Sequence, residues 1–224
     1  MFLFLDLVAF VLLALAFCIL SLKYKILQPK AIIASLIIGC AVFVLSSLGS
    51  VLLMLSFVVF GEGVTRAARK IRKARPHPRR ALGNVIGNGG AALVALFAGS
   101  EIAFVGALSA ALADTFSSEI GLLSKTKPRL ITKPWKKVRP GTDGGVTLLG
   151  FAAAVVGATV IVSIALMLRI TYMKYAWALI MIGIIGSIID SIIGDIFERK
   201  GLLNNTAVNF IASGCAGLLA ITLL

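Results

Sequence analysis

The sequence has one histidine, and its three cysteines are scattered. His77 is the only histidine among 224 residues and lies in the loop string PHP. It cannot support a histidine-based catalytic triad or a multi-histidine metal centre. Cys18, Cys40 and Cys215 lie in three different apolar segments without metal or redox spacing, so we expect them to pack in the protein interior. Any metal would therefore be held by oxygen ligands, which favours a hard cation such as Mg²⁺.

Acidic residues are also scarce, with 9 Asp and Glu against 22 Lys and Arg and a net charge of +13. The basic residues are not spread evenly, because 20 of the 22 fall in alternate loops between apolar segments. This pattern is typical of cytosolic loops in membrane proteins and predicts an N-terminus outside the cell. No aromatic residues alternate with the basic ones to form a nucleic-acid platform, so we interpret the charge as topogenic, with contacts to anionic lipid.

The mean hydropathy of +1.05 is too high for a soluble domain of this size. A helix needs about 20 mostly apolar residues to cross a bilayer. Of the predicted spans, the third, 50–67, has the weakest apolar run. The first has the acid Asp6 and no basic start, so we interpret it as a retained span rather than a signal peptide. We predict an all-α membrane protein, one integral membrane domain over 1–224 with about eight transmembrane helices (seven as the alternative) and an active site on the cytosolic side. The predicted spans are 2–22, 31–48, 50–67, 83–99, 101–122, 145–168, 174–197 and 204–224.

Four acids lie inside predicted spans, where a charged side chain costs about 2.5–3.5 kcal/mol at mid-bilayer. Asp114 and Glu119 are in the fifth span, and Asp190 and Asp195 are in the seventh. At about 1.5 Å per residue, Asp114 is roughly 13 Å from the inner end of its helix. Acids at such a depth persist mainly where they face a cavity or a partner. A structural role, with the acids paired to Arg or Lys, is the alternative.

Helical periodicity separates the four acids into two pairs. At about 100° per residue, Asp114 shares a stripe with small and hydroxyl residues that include Ser118, whereas Glu119 lies about 140° away. Asp190 likewise shares a stripe with Gly and Ser, and Asp195 turns aside. We therefore expect Asp114 and Asp190 to point inward and Glu119 and Asp195 to lie nearer the rim.

Two asparagine pairs stand at inner helix ends. Asn84 and Asn88 open the fourth span, Asn205 and Asn209 open the eighth, and each pair falls on one helix face. Helix N-termini carry free N–H groups and partial positive charge, which suits a phosphate. Asparagine and small residues also join transmembrane helices, so contacts between helices are the ordinary alternative.

The loop 124–145 carries seven basic residues, and we single out Lys125, Arg129 and Lys137 as candidates to clamp an anionic substrate. It ends in the turn string PGTDGG, which contains Thr142, Asp143 and Gly144 and leads into the sixth span. The sequence has no GxxxxGK[ST] string, which excludes a Walker-type nucleotide site. A loop that only meets solvent would not need so many Gly, Pro and Thr residues.

Five ordered strings, ADTFSSEIGLLSK, PRLIT, VRPGTDGGV, GSIIDSIIGD and NNTAVN, resemble the phytyl phosphate kinases and their relatives, the transmembrane protein 19 group. The likeness covers nearly the whole chain. The order of acid, glycine, basic residues and P-G-T-D-G-G is also similar to the wider superfamily of CTP-using membrane enzymes, with dolichol kinase and phosphatidate cytidylyltransferase. One string departs from the family pattern, because RKARPHPRRALGN has His-Pro where an acid and Gly are expected, which leaves Arg79 and Arg80 without an assigned role.

The resemblance implies a Mg²⁺-dependent kinase that moves the γ-phosphoryl group of CTP to an isoprenoid monophosphate at the cytosolic membrane face. Phosphoryl transfer depends on alignment and charge neutralisation, which oxygen ligands, basic residues and helix N-termini supply. The resemblance also implies a catalytic set of Asp114, Glu119, Asp190 and Asp195. Of these, Asp114, Glu119 and Asp190 would bind the metal. The residues expected to bind nucleotide or phosphate are Asn84, Asn88, Ser118, Lys125, Arg129, Lys137, Thr142, Asp143, Gly144, Asn205 and Asn209.

Three other functions fit the same residues. A CTP-dependent prenol or polyprenol kinase would phosphorylate an alcohol, and a lipid cytidylyltransferase would use the same site with attack at the other end of the triphosphate. An ion-coupled transporter would also carry membrane-embedded acids, but would not require the 124–145 loop. The oligomeric state is open, and a homodimer is one possibility.

Overall fold

A computed structural model gives the fold of residues 2–74 and 79–224. The part described is almost entirely helical, and His77 lies outside it. A two-stranded antiparallel ribbon, with Arg129 opposite Val146, lies in the loop before the sixth helix. Single 3-10 turns occur at Met173–Tyr175 and Glu198–Lys200. The elements are α1 (Phe2–Lys23), α2 (Pro29–Leu45), α3 (Leu48–Ile71), α4 (Leu82–Phe97), α5 (Glu101–Gly121), β1 (Arg129–Leu130), β2 (Gly145–Val146), α6 (Leu148–Met167), α7 (Ala176–Ile196) and α8 (Asn205–Leu223).

The fifth helix is the centre of the bundle and packs against α3, α4, α6, α7 and α8. Most of its buried residues between Ala103 and Ala113 are alanine or other small residues. Glycines on the neighbouring helices complete the close approach. A Cβ on Gly157 would lie 2.7 Å from the carbonyl oxygen of Leu112, and one on Gly186 would lie 2.3 Å from the Cβ of Ala110. Close packing of small residues is the usual way in which helices associate inside a membrane.

Helices of alternating direction bring the long loops to one end of the bundle. The C-terminal ends of α5 and α7 and the N-terminal ends of α4 and α8 line a common cavity there. The opposite end has short connections, where Ser46 donates a hydrogen bond to Glu101 at 2.6 Å. The described parts of the four loops in which the sequence concentrates its basic residues all belong to the cavity end. The placement of that end in the cytosol remains a prediction from the positive-inside rule.

Five helices of the described chain are long and apolar enough to cross a membrane, namely α1, α3, α6, α7 and α8. The third span, expected to be the weakest, is thus among the five, because α3 continues to Ile71 beyond its apolar part. The other three helices are α2 and α4, which are shorter at 17 and 16 residues, and α5, which carries three acids. The helix bundle is as predicted, and eight crossings stay a prediction.

Exposed aromatic residues mark both ends of the bundle. Trp135 is 75% exposed in the loop at the cavity end, while Trp177 and Tyr172 are 79% and 71% exposed at the other end. Amphipathic rings are enriched at the two interfaces of a bilayer. Their positions agree with a bundle whose axis runs across the membrane.

Candidate active site

A polar cavity of about 300 Å³ lies at the basic end of the bundle, between α4, α5, α7, α8 and the loop before α6. We call it the polar cavity. Eleven of the fifteen site residues predicted from the sequence line it, counting Asn205 at the start of α8, and they come from five different segments of the chain. They are Asn84, Asn88, Asp114, Ser118, Glu119, Thr142, Asp143, Gly144, Asp190, Asn205 and Asn209.

Four carboxylates in the polar cavity have no cationic partner. Within residues 2–74 and 79–224, no salt bridge involves Asp114, Asp143, Asp190 or Glu198. Asp190 is repelled by the charges of the other three, and Glu198 by that of Asp143. Their hydrogen bonds are few: Ser187 donates to Asp114 at 3.4 Å, and the side chain of Asn205 bonds with Glu198. Unpaired acids crowded in one cavity are expected where a ligand supplies the missing positive charge.

The other buried or half-buried acids are each held by arginine. Glu62 bonds with Arg66 at 2.6 Å and with Arg80 at 3.0 Å. Glu119 pairs with Arg72 at 3.3 Å, so this lining residue of the polar cavity is already partly neutralised. The structure thus divides the acids at this end of the bundle into a paired set and an unpaired set, and Asp143 of the unpaired set is exposed.

Asp195 lies outside the polar cavity and is 1% exposed. Arg199 approaches its Oδ1 at 2.7 Å, and Thr132 donates a short hydrogen bond to its Oδ2. The prediction that Asp195 turns aside from Asp190 agrees with this position. Its contacts are those of a residue that fastens the 122–147 loop to α7, rather than those of a group open to a ligand.

The asparagine pairs meet because α4 and α8 pack closely at their N-terminal ends. A Cβ on Gly83 would lie 2.3 Å from the hydroxyl of Thr206, and Gly87 leaves similar room for Asn209. Asn209 donates to Asn205 at 3.4 Å within α8. No side chain caps the first N–H groups of α4, whereas Asn204 caps α8 by accepting from Ala207 at 2.9 Å. The amide side chains therefore provide neutral donors and acceptors beside the four acids.

The turn before α6 is fitted against α7 by Gly144. Its φ is +71°, a backbone conformation that favours glycine. A Cβ there would lie 2.3 Å from the Cβ of Asp195 and 2.7 Å from its Cα. Because only glycine fits, Thr142 and Asp143 are held at the edge of the polar cavity.

The three basic residues singled out in the loop are not in the polar cavity. Lys125 is exposed and does not line the polar cavity, while Arg129 and Lys137 line a second cavity of about 1000 Å³. This second cavity, which we call the α6–α7 groove, is open to the surface and shares Ser117, Val146, Thr147 and Ser191 with the polar cavity. The predicted clamp is therefore beside the cluster of acids, not around it.

The donor set of the polar cavity suits a hard cation, although it is not a closed ion site. Among the described residues no three acidic, histidine or cysteine side chains are gathered closely enough to hold an ion by themselves. Mg²⁺ is commonly held by one or two carboxylates together with waters and substrate phosphates. Asp114 and Asp190 are the carboxylates best placed for this, because both are unpaired and project from facing helices.

Sequence analysis missed two members of this site. Glu198 follows Asp190 by eight residues and lies in the turn after α7 ends, so the periodicity of α7 did not reveal it. Arg80 lines the polar cavity, and its guanidinium bonds with Glu62 and reaches Thr65 at 3.3 Å. Backbone hydrogen bonds between Arg80 and the segment from Ile26 to Gln28 fix its position. Sequence analysis assigned no role to Arg80, because the string RKARPHPRRALGN departs from the family pattern.

Comparison with protein families decides the wider identity of this chain. A model of the integral membrane protein family DUF92 matches residues 12–217, which is nearly the whole sequence. The chain belongs to the DUF92 family. All residues that line the polar cavity, from Thr65 to Asn209, lie within the matched part, so the cavity belongs to the region that the family shares.

Relatives of this DUF92 protein occur in archaea and plants. It is 35% identical to the uncharacterized membrane protein MJ0933 of Methanocaldococcus jannaschii, over 92% of this chain and 91% of the relative. Two proteins of Arabidopsis thaliana are also similar. Protein VTE6, chloroplastic, is 26% identical over 87% of this chain and 64% of its own length. Protein PGR is 36% identical over 39% of this chain and 34% of its own length. No solved structure matches.

Proposed function

We propose that this protein is a membrane-embedded kinase that transfers the γ-phosphoryl group of CTP to an isoprenoid monophosphate. The observation that carries the proposal is the cluster of Asp114, Asp143, Asp190 and Glu198, four acids without a cationic partner in a cavity walled by asparagines and helix N-termini. Such a cavity repels a bare triphosphate and accepts one that arrives with divalent metal. The family resemblance in the sequence and the similarity to VTE6 over most of the chain support the same assignment.

The transfer needs no covalent intermediate on the protein. A terminal oxygen of the acceptor phosphate attacks the γ-phosphorus of CTP, the bond from that phosphorus to the β–γ bridging oxygen breaks, and CDP leaves with the bond's electron pair. A phosphate acceptor is already an anion, so the step requires little help from a general base. Bound Mg²⁺ would offset the charge of the triphosphate, with Asp114 and Asp190 as its protein ligands.

The chain's own residues would then position the two substrates. Asn84, Asn88 and Asn209 offer amide donors to phosphate oxygens, and Arg80 adds a positive charge at the wall of the polar cavity. Thr142 and Asp143 lie at its edge, on the turn that Gly144 fixes against α7. These residues would hold the donor phosphates in line with an acceptor that enters from the side.

Product analysis tests the proposal against the other functions. Purified protein is incubated with Mg²⁺, CTP labelled in the γ-phosphate and a prenyl monophosphate. CDP with labelled prenyl diphosphate is the expected result. Pyrophosphate with a CMP-lipid would instead identify a cytidylyltransferase, and labelled monophosphate formed from a prenol would identify an alcohol kinase. If no nucleotide is consumed and vesicles show ion flux, the protein is a transporter.

A further inference from the structure

We infer that the α6–α7 groove binds the acceptor, an amphiphile with a phosphomonoester head and a linear hydrocarbon tail. This inference rests on the proposed function and adds the place and the recognition of the second substrate. Its starting point is that the groove joins two chemically different surfaces. One end is basic and polar, and the rest is an apolar wall between two transmembrane helices.

The basic end is suited to a phosphate head. Lys127, Arg129 and Lys137 line it, and in the described chain none of them makes a salt bridge with an acid. The position of Arg129 is fixed, because β1 sets it opposite Val146 and its guanidinium donates to the carbonyl of Pro134 at 2.7 Å. Three unneutralised cations around one opening are an electrostatic match for a phosphate dianion.

The apolar part of the groove is suited to a tail that continues into the bilayer. Ala154 and Ile184 form its floor, 2% and 6% exposed, whereas Leu148 and Phe151 on its outer side are 84% and 48% exposed. The seven residues from Leu148 to Ala154 extend over about 9 Å of helix. The groove therefore contacts the first part of a tail, and the remainder lies among lipids. We expect the protein to recognise the head and the first units of the tail more strongly than the full chain length.

The groove also meets the polar cavity where chemistry would occur. Ser117 and Ser191 line both spaces, and Ser187 in the groove donates to Asp114 in the polar cavity. A phosphate at the mouth of the groove would thus lie beside the unpaired acids and beside any metal–nucleotide complex bound to them. This adjacency lets a lipid head reach a donor phosphate without leaving the membrane.

A third cavity, an apolar cleft of about 80 Å³ among α1, α2, α3 and α4, is the rival site for a tail. It also reaches the polar cavity, through Arg80 and Asn84. Among the described residues Arg80 is the one cation that lines this cleft, and it pairs with Glu62 at 3.0 Å. A phosphate head in the cleft would meet one cation, whereas the basic end of the groove presents three without an acidic partner in the described chain, which is why the α6–α7 groove is the better site.

Photo-crosslinking locates the acceptor directly. Purified protein without nucleotide is irradiated with a 20-carbon prenyl monophosphate that carries a diazirine in its second isoprene unit, and the labelled peptides are identified by mass spectrometry. We expect labels on α6 between Leu148 and Ala154 and on α7 between Ile184 and Ile188. Labels on α1 and α3 would overturn the inference in favour of the cleft. Competition by phosphatidic acid as strong as that by unlabelled prenyl monophosphate would also overturn it, since the groove would then be a general site for anionic lipids.

Matched variants test each part of the groove. Lys127→Ala and Lys137→Ala should each weaken binding of the prenyl monophosphate by about tenfold, while Lys133→Ala and Lys136→Ala, in the same loop but outside the groove, should not. Ile188→Trp fills the groove and should weaken binding, whereas Ile185→Trp, 38% exposed on the same helix, is its control. Equal losses in groove and control variants would refute the assignment.

Binding and turnover separate this inference from the proposed function. Groove labelling without CDP formation from CTP would leave the lipid site standing and refute the kinase. CDP and prenyl diphosphate formation with labels on α1 and α3 would leave the kinase standing and refute the groove.

Discussion

The same chemical change at two acids should have opposite consequences, because one acid is paired and the other is not. Asp195→Asn removes the charge that holds Arg199 at 2.7 Å and weakens the anchor of Thr132. Loss of one partner of a buried ion pair costs roughly 3–5 kcal/mol. Arg199 is 38% exposed and can turn to water, so we expect a smaller loss in the free energy of unfolding, about 2–3 kcal/mol.

Asp114→Asn should leave stability unchanged or raise it. Its one hydrogen bond, from Ser187 at 3.4 Å, can be accepted by the amide oxygen, and the repulsion from Glu198 is removed. Turnover should nevertheless fall almost to zero, because the amide cannot supply the charge that a metal–triphosphate complex requires.

Thermal unfolding in detergent and product formation, measured on the same preparations, test this pair of predictions. For a protein of this size, a loss of 2–3 kcal/mol lowers Tm by roughly 4–12 °C. Asp195→Asn should show that shift and, at temperatures well below its Tm, retain measurable turnover. The reasoning fails if Asp114→Asn unfolds earlier than Asp195→Asn, or if Asp114→Asn keeps wild-type turnover.

Three further predictions concern the loops at the cavity end. Gly144→Ala should cost about 2–4 kcal/mol of stability and abolish turnover because its Cβ meets Asp195, whereas Gly201→Ala, at φ +73° with open space, should cost only about 1–2 kcal/mol in thermal unfolding. Arg80→Met should raise the KM for CTP about tenfold in steady-state assays, and an unchanged KM would remove Arg80 from the nucleotide site. Cysteine placed at Lys133 should react with a membrane-impermeant reagent only after cells are opened, and cysteine at Ser100 should react in intact cells; the reverse pattern would invert the topology.

The helix bundle was predictable because the bilayer restricts the choices. Long apolar segments can satisfy their backbone groups in lipid only as helices, so the eight segments followed from composition alone. Periodicity then placed Asp114 and Asp190 on inward stripes, and both line the polar cavity. These inferences needed only local sequence and the constraint of the membrane.

The arginine partners of the acids were not predictable, because they depend on which arginine reaches which carboxylate in three dimensions. Periodicity set Glu119 apart from Asp190, but it indicated no arginine partner for Glu119. Arg72, on the turn that ends α3, pairs with Glu119 across 47 positions of sequence, whereas Asp190 has no salt bridge among the described residues and is repelled by other acids. Partners so distant leave no periodic signal within either helix. The same reason hid Glu198, which acquires its place in the site through the turn that follows α7.

The basic residues of the loop and the unpaired acids line different cavities, and this separation indicates what each cavity can bind. If Arg129 and Lys137 surrounded Asp114 and Asp190, the opposite charges would neutralise each other and neither set would need a ligand. Instead the cations line the α6–α7 groove and the acids line the polar cavity, with Ser117 between them. A phosphate without metal fits the first environment, and a phosphate with metal fits the second. Two phosphorylated substrates of different character, one lipid and one nucleotide, would therefore each be drawn to its own side of the same serine.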